Sequence, residues 1–278
     1  MRILSFLVLT LVFSSCKIAD LRTDQVKTNL DQEKARQLLA ATAKAHGVSN
    51  WEQYETYEAN FHDVFLGFVG KNGNPFPKNE AHLQLQYIPN TFNGRAIFTE
   101  GKYKDRIWGI QAWKTYEQRP GEALQFKQDK DILFWLPTYQ YFIEFPLRIQ
   151  SASIVSYAGT AELDGKICDL VFASWEQTAP QKEVDQYLIW IDQESKLITK
   201  IEYTIREVYS WLKGAVYFKD IRTVGGIQLP FFMPVESNLV KKGYLHEMRI
   251  KDIQFDAIPK STLLPNKNLE FIGDSKLN

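Results

Sequence analysis

Residues 185–206 constrain the fold of this chain most strongly, because they have the pattern of two β-strands joined by a short polar turn. The first arm, residues 186–191, is mostly aliphatic and aromatic, and the second arm alternates with the period of a strand. One face of the second arm carries Leu197, Thr199, Ile201, Tyr203 and Ile205, and the other face is largely charged. The apolar face must be covered by a hydrophobic core or by a ligand, and the pattern leaves both alternatives open.

The composition is that of a globular domain with an excess of aromatic residues. The chain has 278 residues, of which 45% are hydrophobic and 14% are aromatic. The 33 Lys and Arg residues are balanced by 33 Asp and Glu residues. Because the chain has no net basic charge to attract phosphate groups, we predict no nucleic-acid partner.

From residue 55 onward the chain has the pattern of short strands separated by turn residues. Short links favour an antiparallel meander over alternating strands and helices. Because the strand spacing stays regular, we predict one mainly β (α+β) domain over residues 31–278. The predicted strands cover residues 55–68, 81–88, 94–100, 107–116, 123–127, 153–163, 167–175, 186–191, 198–206, 215–223, 227–229 and 243–258.

Two segments interrupt the strand pattern. The first is an N-terminal helix that Asp31 can cap and Gly47 can end. The second, residues 129–148, is dense in aromatic side chains, and Pro137 and Pro146 predict a helix, a kink and a second helical piece. Apolar residues lie nearly all around it, so it needs cover on more than one side. It is either a plug across one end of the core or a lid over an apolar cavity.

The N-terminus has the features of a secretory signal peptide over residues 1–15. Arg2 is followed by an apolar run over residues 3–13 and by two serines. This apolar run is too short to cross a bilayer comfortably, since a spanning helix needs about 20 residues. We therefore predict cleavage before residue 16.

Cys16 resembles the lipidated cysteine of the bacterial lipobox, although Phe13 replaces the usual branched aliphatic residue. The resemblance implies acyl chains such as palmitate on Cys16, which would hold the protein on a membrane. Residues 16–30 are polar and patternless, so we predict a lipidated tether there. The alternative is an ordinary secreted protein with a chance cysteine. If Cys16 carries lipid, Cys168 has no disulfide partner, and we predict that Cys168 is a small buried residue.

The sequence contains no motif for catalysis or for cofactor binding. It lacks a Gly-x-Ser-x-Gly elbow and a glycine-rich phosphate loop that leads into a helix. His62 and His82 fall on predicted strands, but we identified no carboxylate or second histidine at ligand spacing beside them, so we predict no metal site. Carboxylates are plentiful, yet no pair is singled out for hydrolysis. We predict a protein that is not an enzyme and has no cofactor.

Three segments resemble the LolA/LolB lipoprotein-carrier superfamily: YLIWID at 187–192, LITKIEY at 197–203 and VGGIQLP at 224–230. The resemblance implies a half-open antiparallel β-barrel with helices filling its mouth and an apolar cavity for acyl chains. It also implies a lipid-anchored protein of the Gram-negative cell envelope, in the outer membrane. The chain lacks the compact basic signature of a dedicated carrier, so lipoprotein transfer itself stays open.

The large number of aromatic residues leads to a hypothesis about the ligand site. Open barrels commonly bind apolar ligands in a concave site, and a membrane-anchored protein meets lipids at high local concentration. The residues that we predict to line or close such a cavity are Trp108, Ile110, Phe134, Trp135, Tyr139, Phe142, Tyr187 and Ile189. For each of them the alternative is an ordinary core position. The alternative function is a structural, protein-binding or glycan-binding envelope lipoprotein, with Trp108, Trp113 and Trp211 as a contact patch.

Overall fold

The computed structural model describes residues 18–269, and all of its strand pairings are antiparallel and belong to one sheet. The strands are β1 (Tyr57–Phe65), β2 (Glu80–Tyr87), β3 (Gly94–Phe98), β4 (Ile107–Gln111), β5 (Lys114–Gln118), β6 (Gln125–Phe126), β7 (Ile154–Leu163), β8 (Lys166–Ser174), β9 (Gln186–Asp192), β10 (Ile198–Thr204), β11 (Lys213–Tyr217), β12 (Lys219–Val224), β13 (Ile227–Ser237) and β14 (His246–Phe255). The helices are α1 (Asp24–Thr28), α2 (Gln32–Ala45), α3 (Gly67–Gly73), α4 (Lys130–Ile143) and α5 (Phe145–Arg148). Short 3₁₀ helices cover Val48–Gln53, Gly101–Tyr103, Ile149–Ser151 and Lys260–Leu263.

The sheet is a barrel that does not close. Its strand order is β6-β5-β4-β3-β2-β1-β14-β13-β11-β10-β9-β8-β7, and β12 extends β11 along the first half of β13. The end strands β6 and β7 do not pair with each other. The prediction of a mainly β, half-open antiparallel barrel is therefore confirmed.

The two faces of the sheet differ in burial because side chains alternate along each strand. Along β1 every second residue, from Tyr57 to Phe65, is buried on the inner face, and the residues between them are partly exposed. Helices α2 and α4 pack on this inner face, α2 against β7 and β8 and α4 against β3 to β5. Aromatic side chains of α4 also reach the middle of the sheet, where Tyr139 contacts Phe61 and Phe142 contacts Tyr203.

The N-terminal helix follows its sequence signals. The Asp31 side chain caps α2 by accepting a hydrogen bond from the Lys34 backbone N–H at 3.0 Å. Gly47 follows the helix with a left-handed φ of 68°, and a Cβ there would lie 2.1 Å from the Gly226 carbonyl oxygen. Only glycine permits this close approach of the helix end to the β12–β13 turn.

Several predictions of secondary structure are wrong in detail. The predicted strand over residues 107–116 is two strands, because Ala112 and Trp113 both adopt positive φ values and reverse the chain. The predicted strand over residues 55–68 ends at Phe65 and is followed by α3. The helix and second helical piece predicted over residues 129–148 are present as α4 and α5, but the break lies at Glu144, and Pro137 lies inside α4.

Residues 18–30 form part of the domain, which corrects the prediction of a tether over residues 16–30. Leu21 and Val26 are buried and pack on the outer face of strands β7 to β9, beside Leu170 and Phe172. The Leu21 backbone N–H donates to Gln186 Oε1 at 2.9 Å. Leu21 and Val26 can pack there because β8 presents apolar residues on both faces of the sheet. Cys16 and the predicted signal peptide lie outside the described residues.

His46 fastens the end of α2 to the sheet. Its Nε2 accepts a hydrogen bond from the Ile198 backbone N–H, and its Nδ1 lies 3.0 Å from the Gln228 carbonyl oxygen. Since Nε2 accepts, Nδ1 carries the proton and donates, which is the neutral form of the ring. Burial lowers the pKa of His46, although the hydrogen bond to Gln228 opposes this shift.

We expect the free energy of unfolding to fall as the pH drops from 7 to 5.5. Unfolded His46 binds a proton near pH 6.5, whereas the folded state, with its lowered pKa, resists protonation, so stability is fully present above that pH and is lost below it. Urea unfolding at both pH values measures the effect. His46→Leu should flatten this pH dependence, and His82→Gln should flatten it less, because the pKa of His82 is also lowered but its side chain is partly exposed. An unchanged slope in His46→Leu would contradict the assignment.

No helix within residues 18–269 has the length and hydrophobicity required to span a membrane.

Candidate functional site

An open cavity of about 410 Å³ lies between helix α4 and the middle strands of the sheet. This volume is within the usual range for small-molecule sites, about 300–1,000 Å³. One wall is α4, the opposite wall comes from β9, β10, β11, β13 and β14, and the rim comes from α3 and the loops at residues 205–212 and 237–245.

Helix α4 can form both core and cavity wall because it is apolar on two faces. Asp129 caps it, accepting hydrogen bonds from the Asp131 and Ile132 backbone N–H groups. One face is fully buried against the sheet and carries Ile132, Leu136, Tyr139 and Ile143. The opposite face is partly exposed to the cavity and carries Leu133, Phe134, Pro137, Thr138 and Tyr141. The sequence left two alternatives for this segment, a plug in the core and a lid over a cavity. One face of α4 packs in the core and the other lines the cavity.

The sheet wall is formed by side chains that point inward from neighbouring strands. Tyr187, Tyr203, Val235 and Met248 line the cavity from β9, β10, β13 and β14. A bulge in β10 next to Ile198 changes the pairing register, so both Ile198 and Ile201 are buried. The strict alternation predicted for this arm therefore holds only over residues 200–203, since Thr204 is buried and Ile205 is partly exposed.

The rim of the cavity carries exposed apolar side chains. Tyr209 and Trp211 are 54% and 39% exposed and stack with their ring centroids 5.4 Å apart. Val208 and Leu239 line the cavity and are also exposed. Exposure of four large apolar side chains near one opening is unfavourable in water, so the rim is a candidate contact surface.

A buried polar network borders the cavity at His246. Asp63 is fully buried, its Oδ1 lies 2.8 Å from His246 Nδ1, and its Oδ2 accepts a hydrogen bond from the Tyr139 hydroxyl at 2.8 Å. Burial and the Asp63 charge raise the pKa of Tyr139 well above its usual value, so this hydroxyl remains a donor. The network fixes the orientation of the His246 ring, which lies parallel to Phe65 with a centroid distance of 5.1 Å.

Asp185 is a partly buried carboxylate at the cavity wall. Its Oδ1 accepts hydrogen bonds from the Thr204 hydroxyl at 2.8 Å and from the Arg206 backbone N–H at 2.9 Å. Burial raises its pKa, and these two donors oppose the shift. Oδ1 is thus engaged with β10 and the chain that follows it.

The structure divides the eight residues predicted to line the cavity into two groups. At the cavity wall lie Phe134, Trp135, Phe142 and Tyr187. Buried in the core, and absent from the cavity wall, are Trp108, Ile110, Tyr139 and Ile189. Contact of any of them with a lipid stays a prediction. Of the three tryptophans considered for a surface patch, Trp108 is buried, Trp113 is half-buried and only Trp211 is exposed.

Sequence reasoning named only Trp211 among the rim residues and missed His246. Tyr203 had a signal, because it lies on the apolar face of the predicted hairpin. Val208, Leu239 and His246 had none, because their place at the opening depends on pairings between strands far apart in sequence.

Sequence reasoning also failed at His62 and His82. These residues face each other across β1 and β2, and Glu80 lies on the same face, two residues before His82. The premise that neither histidine has a carboxylate or a second histidine beside it is therefore wrong.

Comparisons with known proteins show the fold. No family model and no curated protein matches the sequence. A DUF1329 family protein from Desulfovibrio piger superposes with a TM-score of 0.54 at 8% identity, over 84% of this chain and 98% of the other. A LolA superfamily protein from Nitrosomonas europaea gives 0.54 at 11%, over 82% and 96% of the two chains. An outer membrane lipoprotein-sorting protein domain from Vibrio parahaemolyticus gives 0.53 at 10%, over 82% and 97%. The chain has a LolA-like fold.

Proposed function

We propose that the protein is a lipid-anchored, non-enzymatic protein of the bacterial cell envelope that binds an acyl chain in the cavity beneath α4. The observation that carries this proposal is the open cavity of about 410 Å³ with its largely apolar wall. Burial of about ten methylene groups would contribute roughly 8 kcal/mol before the cost of association. The LolA superfamily and lipoprotein-sorting names of two proteins with this fold support the proposal.

The position of the N-terminal segment supports a membrane anchor next to the cavity. The Ala19 backbone N–H donates to the Ser210 carbonyl oxygen at 2.9 Å, and Arg206 Nη2 donates to the Ala19 carbonyl oxygen. Residue 19 is thereby held beside the exposed Tyr209 and Trp211 of the rim. Cys16 is only three residues earlier in the sequence, and three residues of chain span at most about 11 Å. Acyl chains on Cys16 would therefore hold the mouth of the cavity against the membrane.

The chemistry of the rim suits a lipid surface. Tyr and Trp are the side chains enriched at membrane interfaces, where an apolar ring and a polar edge are both accommodated. Lys213, Lys241 and Lys242 are exposed on the segments that carry Trp211 and Leu239. Lysines near the surface add attraction to anionic lipid headgroups.

We expect the paired substitution Tyr209→Ser and Trp211→Ser to weaken the binding of anionic phospholipid vesicles at least fivefold. The measurement is co-sedimentation of a chain that starts at residue 18, so that no lipid anchor contributes. Phe126→Ser is the matched control, because Phe126 is also exposed but lies on β6, at one end of the sheet. Equal loss in both proteins, or no loss in either, would contradict the role of the rim.

Native mass spectrometry of a chain that starts at residue 16 with Cys16→Ser, purified without detergent, tests the bound ligand. We expect co-purifying acyl chains and uptake of an added fluorescent fatty acid. Thr138→Trp should fill the cavity and weaken uptake at least tenfold, since Thr138 lies on the cavity wall. Thr223→Trp, on the exposed part of β12, is the matched control. A bare protein that takes up no fatty acid would favour the alternative, a structural or partner-binding envelope lipoprotein.

A further inference from the structure

A cluster of two histidines and two glutamates lies on the outer face of the sheet, on the side opposite the cavity. His62 on β1 and His82 on β2 are direct cross-strand partners, and their rings stack with centroids 4.0 Å apart. Glu80 Oε2 lies 3.2 Å from His62 Nε2 and 3.7 Å from His82 Nε2. Glu100, just beyond β3, places its Oε2 3.8 Å from His82 Nε2.

These distances approach those of a tetrahedral metal site. Ligand atoms about 2.0–2.1 Å from a zinc ion stand roughly 3.3–3.4 Å from one another. The donor atoms of His62, Glu80 and His82 all lie within 4.8 Å of one another, so small side-chain rotations would bring them into range. Glu100 is more exposed than the other three and would complete the set or leave the fourth position to water.

The cluster is open to ligand entry yet positioned by the fold. The Nδ1 atom of His82 is buried, which turns Nε2 toward the two carboxylates. A small pocket of about 50 Å³ lies beside Glu80, His82 and Glu100, and a water molecule occupies about 30 Å³ of the liquid. The pocket therefore has room for a metal-bound water.

We infer that His62, Glu80 and His82, with Glu100, form a binding site for a divalent first-row transition ion, with Zn²⁺ as the best match to the ligand set. Two imidazole nitrogens and carboxylate oxygens are ligands typical of zinc, whereas Mg²⁺ and Ca²⁺ prefer oxygen alone. The bound ion would tie the residues after β3 to β1 and β2.

The other two histidines form buried hydrogen bonds at other places in the fold, so substitution of His62 and His82 tests the site. The chain has four histidines, and His46 and His246 are buried in the hydrogen bonds described above. Zinc bound through histidine should therefore depend on His62 and His82. The inference does not rest on the proposed function, because the cluster and the cavity lie on opposite faces of the sheet.

Isothermal titration of the untagged full chain in detergent micelles with Zn²⁺ tests the site. We expect one ion per chain, with at least tenfold weaker binding in His62→Gln and in His82→Gln, and a smaller loss in Glu100→Gln. Glu247→Gln, on the outer surface of β14, is the matched control and should bind as the parent does. Far-ultraviolet circular dichroism of the metal-free variants should match the parent, since all four side chains are at least partly exposed on the outer face of the sheet. Absent binding, or binding that both histidine variants retain, would overturn the inference.

Discussion

Replacing Asp63 with leucine is expected to lower the free energy of unfolding by about 2–6 kcal/mol, because it removes the acceptor of two buried hydrogen-bond donors. The Asp63 side chain is fully buried and is the shared acceptor for His246 Nδ1 and for the Tyr139 hydroxyl. Leucine would leave both donors buried without an acceptor, and each such group costs about 1–3 kcal/mol. Urea unfolding at pH 7 measures the change.

Two substitutions separate the network from a general sensitivity of the sheet. Tyr139→Phe removes one hydrogen bond to the carboxylate and should cost about 1.5–3 kcal/mol, less than Asp63→Leu. Asp252→Ala removes an exposed carboxylate on β14 that accepts from the Asn60 side chain, and it should change stability by less than about 0.5 kcal/mol. If Asp63→Leu were no worse than Asp252→Ala, Asp63 would not organise this part of the core.

The Asp63 network also shows how the core and the candidate site depend on each other. Tyr139 belongs to the core face of α4, and His246 belongs to the cavity wall. Asp63 joins them from β1, so the position of α4 over the cavity is held by polar as well as apolar contacts. Loss of the Asp63 carboxylate should therefore loosen the packing of α4 at the cavity wall before the sheet unfolds.

Features that depend on local chemistry could be predicted from the sequence. The helix from Gln32 to Ala45 follows from a capping aspartate, helical spacing and Gly47, all within one segment. The half-open antiparallel sheet follows from short strands with short turns. The apolar character of residues 129–148 likewise predicted a segment covered on more than one side, as α4 is.

Features that depend on long-range pairing could not be predicted. Leu21 and Val26 lie in a polar stretch, and only the packing of β7 to β9 shows that they are covered. Trp108 and Trp135 were both predicted to line the cavity, yet the structure places the first in the core and the second at the cavity wall. The sequence cannot separate these two outcomes, because a core and an apolar cavity both require large apolar side chains.

Glu144 is a further residue whose environment the sequence did not reveal, since a glutamate after an apolar helix is normally exposed. It lies between α4 and α5 and is fully buried. Its carboxylate accepts hydrogen bonds from the Asn90 backbone N–H at 2.9 Å and from Gln140 Nε2 at 2.7 Å. Arg148 Nη2, also buried, lies 2.8 Å from the same carboxylate, and its guanidinium group stacks over Phe92.

We expect Glu144→Ala to lower the free energy of unfolding by about 3–5 kcal/mol, because it leaves the Arg148 charge buried without its carboxylate partner. The paired substitution Glu144→Ala with Arg148→Met removes both charges and should recover part of this loss. Glu247→Ala is the matched control: Glu247 pairs with Arg249 at 2.9 Å, but that pair is exposed, and exposed pairs contribute about 0–1 kcal/mol. Urea unfolding of the four proteins, parent included, measures these differences. Equal costs for Glu144→Ala and Glu247→Ala would show that burial adds nothing to the pair. A larger cost for the paired substitution than for Glu144→Ala alone would show that Arg148 stabilises this junction through packing on Phe92 rather than through its charge.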